Sequence, residues 1–296
     1  MFASFLPPEV SELTESTSIS FAERLECQEI MTSMSARPIS TSFARQGSGE
    51  IPIILLHGFD SSSFEFRRLL PLLAAETETW AIDLLGFGFT ERIAEIPFSP
   101  KAIKTHLYYF WKTLIEKPAI WVGVSMGGAA AIDLTLSYPE IVKKLVLIDS
   151  AGLAKPPVIG KFLFPPLDYL AVEFLRHPLV RRKISLKAYY DPKFVSPDAE
   201  LCAALHLKAP RWSEALIAFT KSGGYGSFQD NLSRIEQPTL ILWGKEDRIL
   251  GTADALKFKQ ALANSKLIWI DNCGHVPHLE KPQITARHIL DFIANR

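Results

Sequence analysis

The stretch that decides the fold is Ile120-Trp121-Val122-Gly123-Val124-Ser125-Met126-Gly127-Gly128. Its first five residues form a run typical of a buried strand, and a helical pattern, Met126–Ser137, follows Ser125. A sharp turn from strand to helix strains the backbone of the residue at its tip, so only small residues fit two positions to either side. Gly123 and Gly127 occupy those positions, which presents the Ser125 hydroxyl at the positive end of a helix. Because glycine-rich connections also occur without chemistry, the turn needs partners elsewhere in the chain to indicate a site.

Short apolar runs alternate with amphipathic helical stretches on both sides of this turn. Because repeated strand–helix units build a parallel sheet, we predict an α/β fold: a mostly parallel twisted sheet with helices on both faces. Residues 20–46 predict one or two antiparallel edge strands, of which Pro38–Arg45 is the best defined. The predicted parallel strands are Ile53–Leu56, Trp80–Asp83, Ile120–Val124, Lys144–Ile148, Thr239–Trp243 and Lys266–Ile270. The predicted helices are Ser63–Ala74, Pro100–Ile115, Met126–Ser137, Ala253–Ala263 and Pro282–Ala294.

The alternation stops between about residues 152 and 231, where the sequence is helical and contains no convincing strand. This segment follows one predicted strand and precedes another, so we interpret it as an inserted helical cap at the carboxyl edge of the sheet. The predicted organisation is an N-terminal arm (1–37), a core (38–151 and 232–296) and a cap (152–231).

An acid and a histidine follow Ser125 in the order that a catalytic triad on such a sheet requires. The strand Thr239–Trp243 leads into Gly244-Lys245-Glu246-Asp247, and the last strand leads into Asp271-Asn272-Cys273-Gly274-His275. We predict that His275 takes the proton of Ser125 and that Asp247 orients His275. Glu246 and Asp149 remain alternatives for the acid, and His278 is interpreted as a structural hydrogen-bonding residue. Strand, turn, helix and ordered partners together predict an α/β-hydrolase fold with a serine nucleophile.

Two backbone N–H groups are candidates for an oxyanion hole. One is that of Met126, directly after the serine, and the other is that of Phe59 in His57-Gly58-Phe59-Asp60 after the first parallel strand. We interpret His57 as a buried hydrogen-bonding residue, and Asp83 as a residue that shapes a loop.

Composition excludes several other classes. Thirty-two basic residues balance thirty-two acidic residues among 296, so no basic excess indicates a nucleic-acid partner. Three cysteines (Cys27, Cys202 and Cys273) cannot build a disulfide framework and suit a reducing, intracellular compartment. We expect no signal peptide, transmembrane helix, metal or cofactor.

The cap is unusually apolar for its size. Phe162–Leu175 is almost entirely apolar, and Arg176, Arg181, Arg182 and Lys183 follow. Three interpretations stay open: a core helix of the cap, the lining of a channel for a long hydrocarbon, or a membrane contact with a basic fringe.

Several longer runs resemble chlorophyll dephytylase, an α/β-hydrolase of plants and cyanobacteria, from about residue 38 to the end. At the serine turn, plant members have Pro-Ser-Leu-Gly where this chain has Val124-Ser125-Met126-Gly127. The runs that carry the resemblance are His57-Gly58-Phe59-Asp60-Ser61-Ser62, Thr79–Phe89, Phe219–Tyr225, Thr239–Gly244 and Asn272–Pro282.

The resemblance implies hydrolysis of the phytyl ester of chlorophyll to chlorophyllide and phytol, with Ser125, Asp247 and His275 as the triad. It further implies a cyanobacterial protein, peripheral at the thylakoid membrane and otherwise cytoplasmic. Two other functions stay open: a carbon–carbon bond or small-ester hydrolase, and a ligand receptor or assembly factor without turnover.

Overall fold

A computed structural model describes residues 2–154 and 164–294. Its centre is one eight-stranded sheet in the order β1-β2-β4-β3-β5-β6-β7-β8. The strands are β1 (Leu25–Ile30), β2 (Ile39–Gln46), β3 (Ile53–Leu56), β4 (Thr79–Ile82), β5 (Ala119–Val124), β6 (Val142–Ile148), β7 (Thr239–Gly244) and β8 (Ser265–Ile270). Strands β3 to β8 run parallel, whereas β1 and β2 pair antiparallel at one edge. The predicted parallel sheet with an antiparallel edge is confirmed.

Helices cover both faces of this sheet. Side chains alternate along each strand, so Ile54 and Leu56 enter one apolar layer and Ile53 and Leu55 enter the other. The described helices are α1 (Ser16–Ala22), α2 (Leu70–Ala74), α3 (Pro100–Leu114), α4 (Met126–Ser137), α5 (Leu167–Arg176), α6 (Pro178–Ala188), α7 (Pro197–Cys202), α8 (Trp212–Lys221), α9 (Ala253–Ala261), α10 (Pro277–Glu280) and α11 (Pro282–Ala294).

One predicted helix is wrong in its extent. The pattern at Ser63–Ala74 predicts a single helix, but the structure has a 3-10 helix at Ser63–Phe66 and a separate short helix, α2. Pro71 lies in the first turn of α2 and has no backbone N–H to continue a preceding helix.

Between β6 and β7 the described residues form helices α5 to α8 and no strand. Residues 155–163 lie outside the described part of the chain. The apolar stretch Phe162–Leu175 is therefore described only from Phe164 onward, and α5 begins at Leu167.

The N-terminal residues are integrated into the molecule. Strand β1, within the predicted arm, pairs with β2 along its whole length. The carboxylate of Asp198 on α7 accepts hydrogen bonds from the N–H groups of Thr14 and Glu15 (2.6 and 2.9 Å) and from the Ser18 hydroxyl (2.5 Å). The first turn of α1 therefore attaches directly to the helices above the sheet. No helix of the described chain is long and apolar enough to cross a membrane.

Candidate active site

Ser125 lies at the turn between β5 and α4 with φ 50° and ψ −118°, a backbone conformation that residues other than glycine rarely adopt. Its N–H donates to the Ile148 carbonyl (3.1 Å), which ties the turn to β6. A Cβ atom at Gly123 would collide with the Gly127 backbone, and one at Gly127 would collide with the Leu56 carbonyl. The close packing that the G-x-S-x-G pattern predicts is therefore present.

His275 and Asp247 come together at the carboxyl edge of the sheet. His275 Nδ1 lies 2.9 Å from Asp247 Oδ2, and the other Asp247 oxygen accepts from the N–H groups of Ile249 (2.7 Å) and Leu250 (3.1 Å). Burial alone would raise the pKa of Asp247, but these hydrogen bonds hold it below the usual value. The carboxylate is thereby suited to hold Nδ1–H and to leave Nε2 of His275 as the base.

The two alternative acids have other contacts. Glu246 accepts the N–H of Cys273 (2.8 Å) and so supports the loop that carries His275. Asp149 is fully buried and accepts the N–H of Gly244 (3.0 Å). Its burial and the neighbouring Asp247 carboxylate raise the pKa of Asp149 well above its usual value. The raised pKa favours the protonated form of Asp149, and of the three acids only Asp247 hydrogen-bonds to His275.

The loop after β3 brings Gly58, the neighbour of Phe59, close to the serine. A Cβ at Gly58 would lie 3.5 Å from the Ser125 Cβ, so the loop passes directly over the nucleophile turn. The Gly58 N–H donates to Glu65 Oε2 (3.0 Å), whereas the N–H groups of Phe59 and Met126 make no hydrogen bond within the described chain. The assignment of Phe59 and Met126 to an oxyanion hole stays a prediction.

His57 supports that loop from below. Because its Nε2 accepts the N–H of Leu84 (3.1 Å), its Nδ1 carries the proton and donates to the Gly58 carbonyl (2.8 Å). Asp83 accepts the N–H groups of Ser63 (2.7 Å) and Phe89 (3.0 Å). The predicted structural roles of His57 and Asp83 are confirmed.

The hydrogen-bonding role predicted for His278 is wrong. Burial lowers the pKa of His278 to about 4, and the ring packs against Phe66 with centroids 5.5 Å apart. Its closest polar neighbour, Glu65 Oε2, is 3.8 Å from Nε2, and neither ring nitrogen has a hydrogen-bond partner among the described residues.

Ser125 and His275 open into one cavity of about 280 Å³ between the sheet and helices α6 and α7. Its wall is mainly apolar, with Ile184, Val195, Val276 and Leu279 among its side chains. Phe59 also lines it and remains 45% exposed. Helix α6 also reaches the base directly, because the His275 N–H donates to the Ala188 carbonyl (2.7 Å).

Asp60, next to Phe59, has a structural role that the sequence motifs did not predict. Its carboxylate accepts hydrogen bonds from Arg181 of α6, from Trp212 Nε1 of α8 (2.9 Å) and from His206 Nε2 (3.4 Å). Burial would raise the pKa of Asp60, but the contacts with His206 and Arg181 hold it below the usual value. The sequence gives no periodic signal for this role, because Asp60 lies in a polar turn followed by Ser61 and Ser62.

This combination of sheet, strained serine turn and buried Asp–His pair defines a serine-hydrolase type of site. Residues 53–288 match the Alpha/beta hydrolase family, and the chain belongs to that family.

Similar proteins include several hydrolases. Alpha/beta hydrolase domain-containing protein VTE7 of Arabidopsis thaliana is 32% identical, over 100% of this chain and 91% of that protein. Monoacylglycerol lipase ABHD6 of Bos taurus is 26% identical, over 86% of this chain and 78% of that protein. Among solved structures, CarC, a serine hydrolase involved in carbazole degradation, superimposes with a TM-score of 0.76 at 25% identity, covering 92% of this chain and 100% of the other.

Proposed function

We propose that the protein is a serine esterase with Ser125, Asp247 and His275 as its catalytic triad. The observation that carries this proposal is the 2.9 Å contact between His275 and Asp247 beside the cavity that Ser125 lines. His275 takes the Ser125 proton as Oγ attacks the ester carbonyl, and Asp247 stabilises the imidazolium. The protonated His275 then donates to the leaving alkoxide, and a water molecule releases the acyl group in the second half of the cycle.

The N–H groups of Phe59 and Met126 hold the negative oxygen that forms in each half. Each such donor contributes about 3–4 kcal/mol to the transition state. Gly58 cannot replace Phe59, because its N–H is already bound to Glu65.

We further propose the phytyl ester of chlorophyll as the substrate. Support comes from the resemblance of the His57–Ser62, Phe219–Tyr225 and Asn272–Pro282 runs and from the apolar wall of the cavity. A cavity of about 280 Å³ is at the small end for enclosing even a drug-sized ligand. Only the groups on either side of the ester bond therefore enter the cavity, and the greater part of the macrocycle and of the phytyl chain stays outside.

An exposed apolar face beside the cavity supports peripheral contact with a lipid surface, which in this proposal is the thylakoid membrane. Leu170, Phe174 and Leu179 of α5 and α6 are 62%, 65% and 64% exposed. Leu167, Leu170 and Phe174 share one side of α5, and exposed Arg182 and Lys183 follow on α6. Apolar side chains beside basic ones fit an anionic lipid interface.

Vesicle sedimentation tests this contact. The protein is expected to pellet with vesicles that contain phosphatidylglycerol, and Leu170→Ser with Phe174→Ser is expected to remain in the supernatant. Leu256→Ser is the matched control, because Leu256 is 53% exposed on α9 and lies outside the apolar face. Equal sedimentation of all three proteins would reject the contact.

The substrate proposal is tested with purified protein and chlorophyll a. Chlorophyllide a and phytol are expected as products, and Ser125→Ala is expected to form neither. Cleavage of short p-nitrophenyl esters without chlorophyllide would replace the pigment assignment with a carbon–carbon bond or small-ester hydrolase. If the purified protein binds chlorophyll but cleaves neither chlorophyll nor p-nitrophenyl esters, it would instead be a receptor.

A further inference from the structure

Arg67 is a buried cation on the wall of the cavity that contains Ser125. The residue is 2% exposed and follows the 3-10 helix Ser63–Phe66. Its Nη1 donates to the Phe64 carbonyl at 3.2 Å, whereas Nε and Nη2 have no hydrogen-bond partner among the described residues. These two donors of a permanent charge belong to a side chain on the wall of the cavity that Ser125 also lines.

The carboxylates nearest to Arg67 are committed to other donors. Asp198 accepts from the backbone of Thr14 and Glu15 and from Ser18, as described above. Glu15 forms a forked ion pair with the adjacent Arg68 (2.7 and 2.8 Å). No ion pair of the described chain includes Arg67, in contrast to Arg68.

The neighbours of the Arg67 guanidinium are neutral groups of the same cavity wall. Burial raises the pKa of Cys202 to about 11, and it also raises the pKa of Tyr189. The positive charge of Arg67 acts on both groups in the opposite direction, so it lies close to them. Arg67, Tyr189 and Cys202 all line the cavity that Ser125 lines.

A buried guanidinium with unused donors is costly, because it has lost water without gaining an anion. An entering oxygen atom that accepts from Nε and Nη2 together would remove this cost. The planar fork of arginine suits a group with two oxygens, such as a carboxylate or an ester.

We propose that Arg67 forms a second substrate subsite, which binds an oxygen-bearing group on the acyl part of the substrate. This inference rests on the proposed esterase activity and adds to it a requirement for a carboxylate or carbonyl group besides the scissile one. The acyl part is the relevant one because it stays attached to Ser125 in both halves of the cycle, so a fixed cation can hold it throughout.

Three esters of equal acyl length separate the possibilities: p-nitrophenyl pentanoate, the p-nitrophenyl methyl diester of glutarate, and the p-nitrophenyl monoester of glutarate. They carry a methyl group, a neutral carbonyl and a carboxylate at the end of the acyl chain. In Arg67→Met, kcat/KM is expected to fall about tenfold or more for the two glutarates and to change less than about twofold for pentanoate. The larger loss identifies which of the two oxygen groups the site prefers.

Two further variants complete the series. Arg37→Met removes an exposed charge that is ion-paired with Glu91 and does not line the cavity, and it is expected to leave all three ratios unchanged. Arg67→Lys keeps the charge without the fork and is expected to retain more activity on the monoester than Arg67→Met. Arg67→Met is expected to fold, because it removes an uncompensated charge, and if it does not, the Arg67→Lys series provides the comparison. An equal change for all three esters, or none, would overturn the proposal.

A binding measurement does not depend on turnover. In Ser125→Ala protein, monomethyl glutarate is expected to raise the unfolding temperature more than methyl pentanoate does, and Arg67→Met is expected to abolish that difference. If the wild-type protein cleaves no ester but this difference appears, the esterase proposal fails and the Arg67 subsite stands. If esters are cleaved without this difference, the subsite fails alone.

Discussion

Two buried aspartates whose pKa values are shifted in opposite directions lie beside His275. One polar atom from each of Asp149, Asp247 and His275 fits within a cluster 4.8 Å across. Asp247 is held ionised by its donors, whereas Asp149 keeps its proton because a second buried negative charge there would repel the first. At the residue scale, the neutral Asp149 allows Asp247 to remain charged.

Asp149→Asn tests this pairing through stability. Above the ordinary carboxyl pKa of about 4, the unfolded chain releases the Asp149 proton while the folded protein keeps it, so this group disfavours folding increasingly as pH rises toward its folded pKa. Asparagine has no such proton, accepts the Gly244 N–H equally well and tolerates the φ of 40° at this position.

The free energy of urea unfolding of Asp149→Asn, relative to that of wild type, is expected to increase by at least about 1 kcal/mol between about pH 5 and pH 8, because the wild type loses stability over this range. Esterase activity is expected to persist. A difference that does not change with pH would contradict the protonated state of Asp149.

Asp247 and Glu246 are neighbours in sequence with different expected effects. Asp247→Asn keeps the shape but removes the charge that orients and stabilises His275, so kcat is expected to fall by about 10⁴. Glu246→Gln keeps an oxygen for the Cys273 N–H and is expected to cost less than about tenfold. Steady-state kinetics of both variants decides which residue is the triad acid. A larger loss of kcat in Glu246→Gln than in Asp247→Asn would assign that role to Glu246.

The choice among the three acids could not be made from sequence alone. Asp149, Glu246 and Asp247 all follow parallel strands and reach the same sheet edge. The turn after β7 decides it, since it aims Asp247 at the His275 ring and Glu246 at the backbone of the same loop.

At the scale of elements, Asp60 connects the oxyanion loop to the helices above the sheet. It receives donors from α6, from α8 and from the 3-10 helix Leu205–Lys208. The neighbouring residue is Phe59, so we expect a shift of these helices to move the N–H that is proposed to hold the oxyanion.

Asp60→Asn is expected to destabilise the protein and to slow the reaction. Removing the charge leaves the largely buried Arg181 without its anion, which costs about 3 kcal/mol in the free energy of unfolding. The main kinetic effect is expected on kcat, because the oxyanion contact is made in the transition state. Urea unfolding and steady-state kinetics measure the two effects.

Glu200→Gln provides the control for Asp60→Asn. It breaks the exposed pair with Arg182 on the same helices and is expected to change stability by less than about 1 kcal/mol. Equal losses in the two variants would show that Asp60 acts as an ordinary surface ion pair.

Element positions were predictable where the hydrophobic period is strong. Helix α4 and strand β3 have the predicted bounds, because an uninterrupted apolar pattern fixes them. The helix predicted at Ser63–Ala74 was wrong in extent, since its pattern continues across Pro71 although its hydrogen bonds do not. Contacts between elements that are distant in sequence, such as those of Asp60, produce no periodic pattern from which they could be predicted.

At the scale of the whole molecule, the first residues hold the helices above the sheet in place. Asp198 of α7 binds the start of α1, and Glu15 bonds to Arg68 in the core, which donates in turn to the Leu279 carbonyl beside the His275 loop (3.0 Å). Composition alone predicted an arm here but not this connection, because it depends on residues about 180 positions apart.

Asp198→Ala is expected to lower the free energy of unfolding by about 1–3 kcal/mol, because the Thr14 and Glu15 N–H groups lose their acceptor. Urea denaturation measures this loss. Asp191→Ala, at an exposed turn near the same helices, serves as the control and is expected to change stability by less than about 1 kcal/mol. Similar values for both variants would show that the N-terminal contact contributes little.

Covalent labelling with a fluorophosphonate tests the central claim most directly, since such probes react with a serine only when a base activates it. One label per chain is expected, mapped by mass spectrometry to Ser125, with none in Ser125→Ala and a strongly reduced rate in His275→Ala. A label at another residue, or equal labelling of Ser125→Ala, would contradict the assignment of Ser125 as the nucleophile.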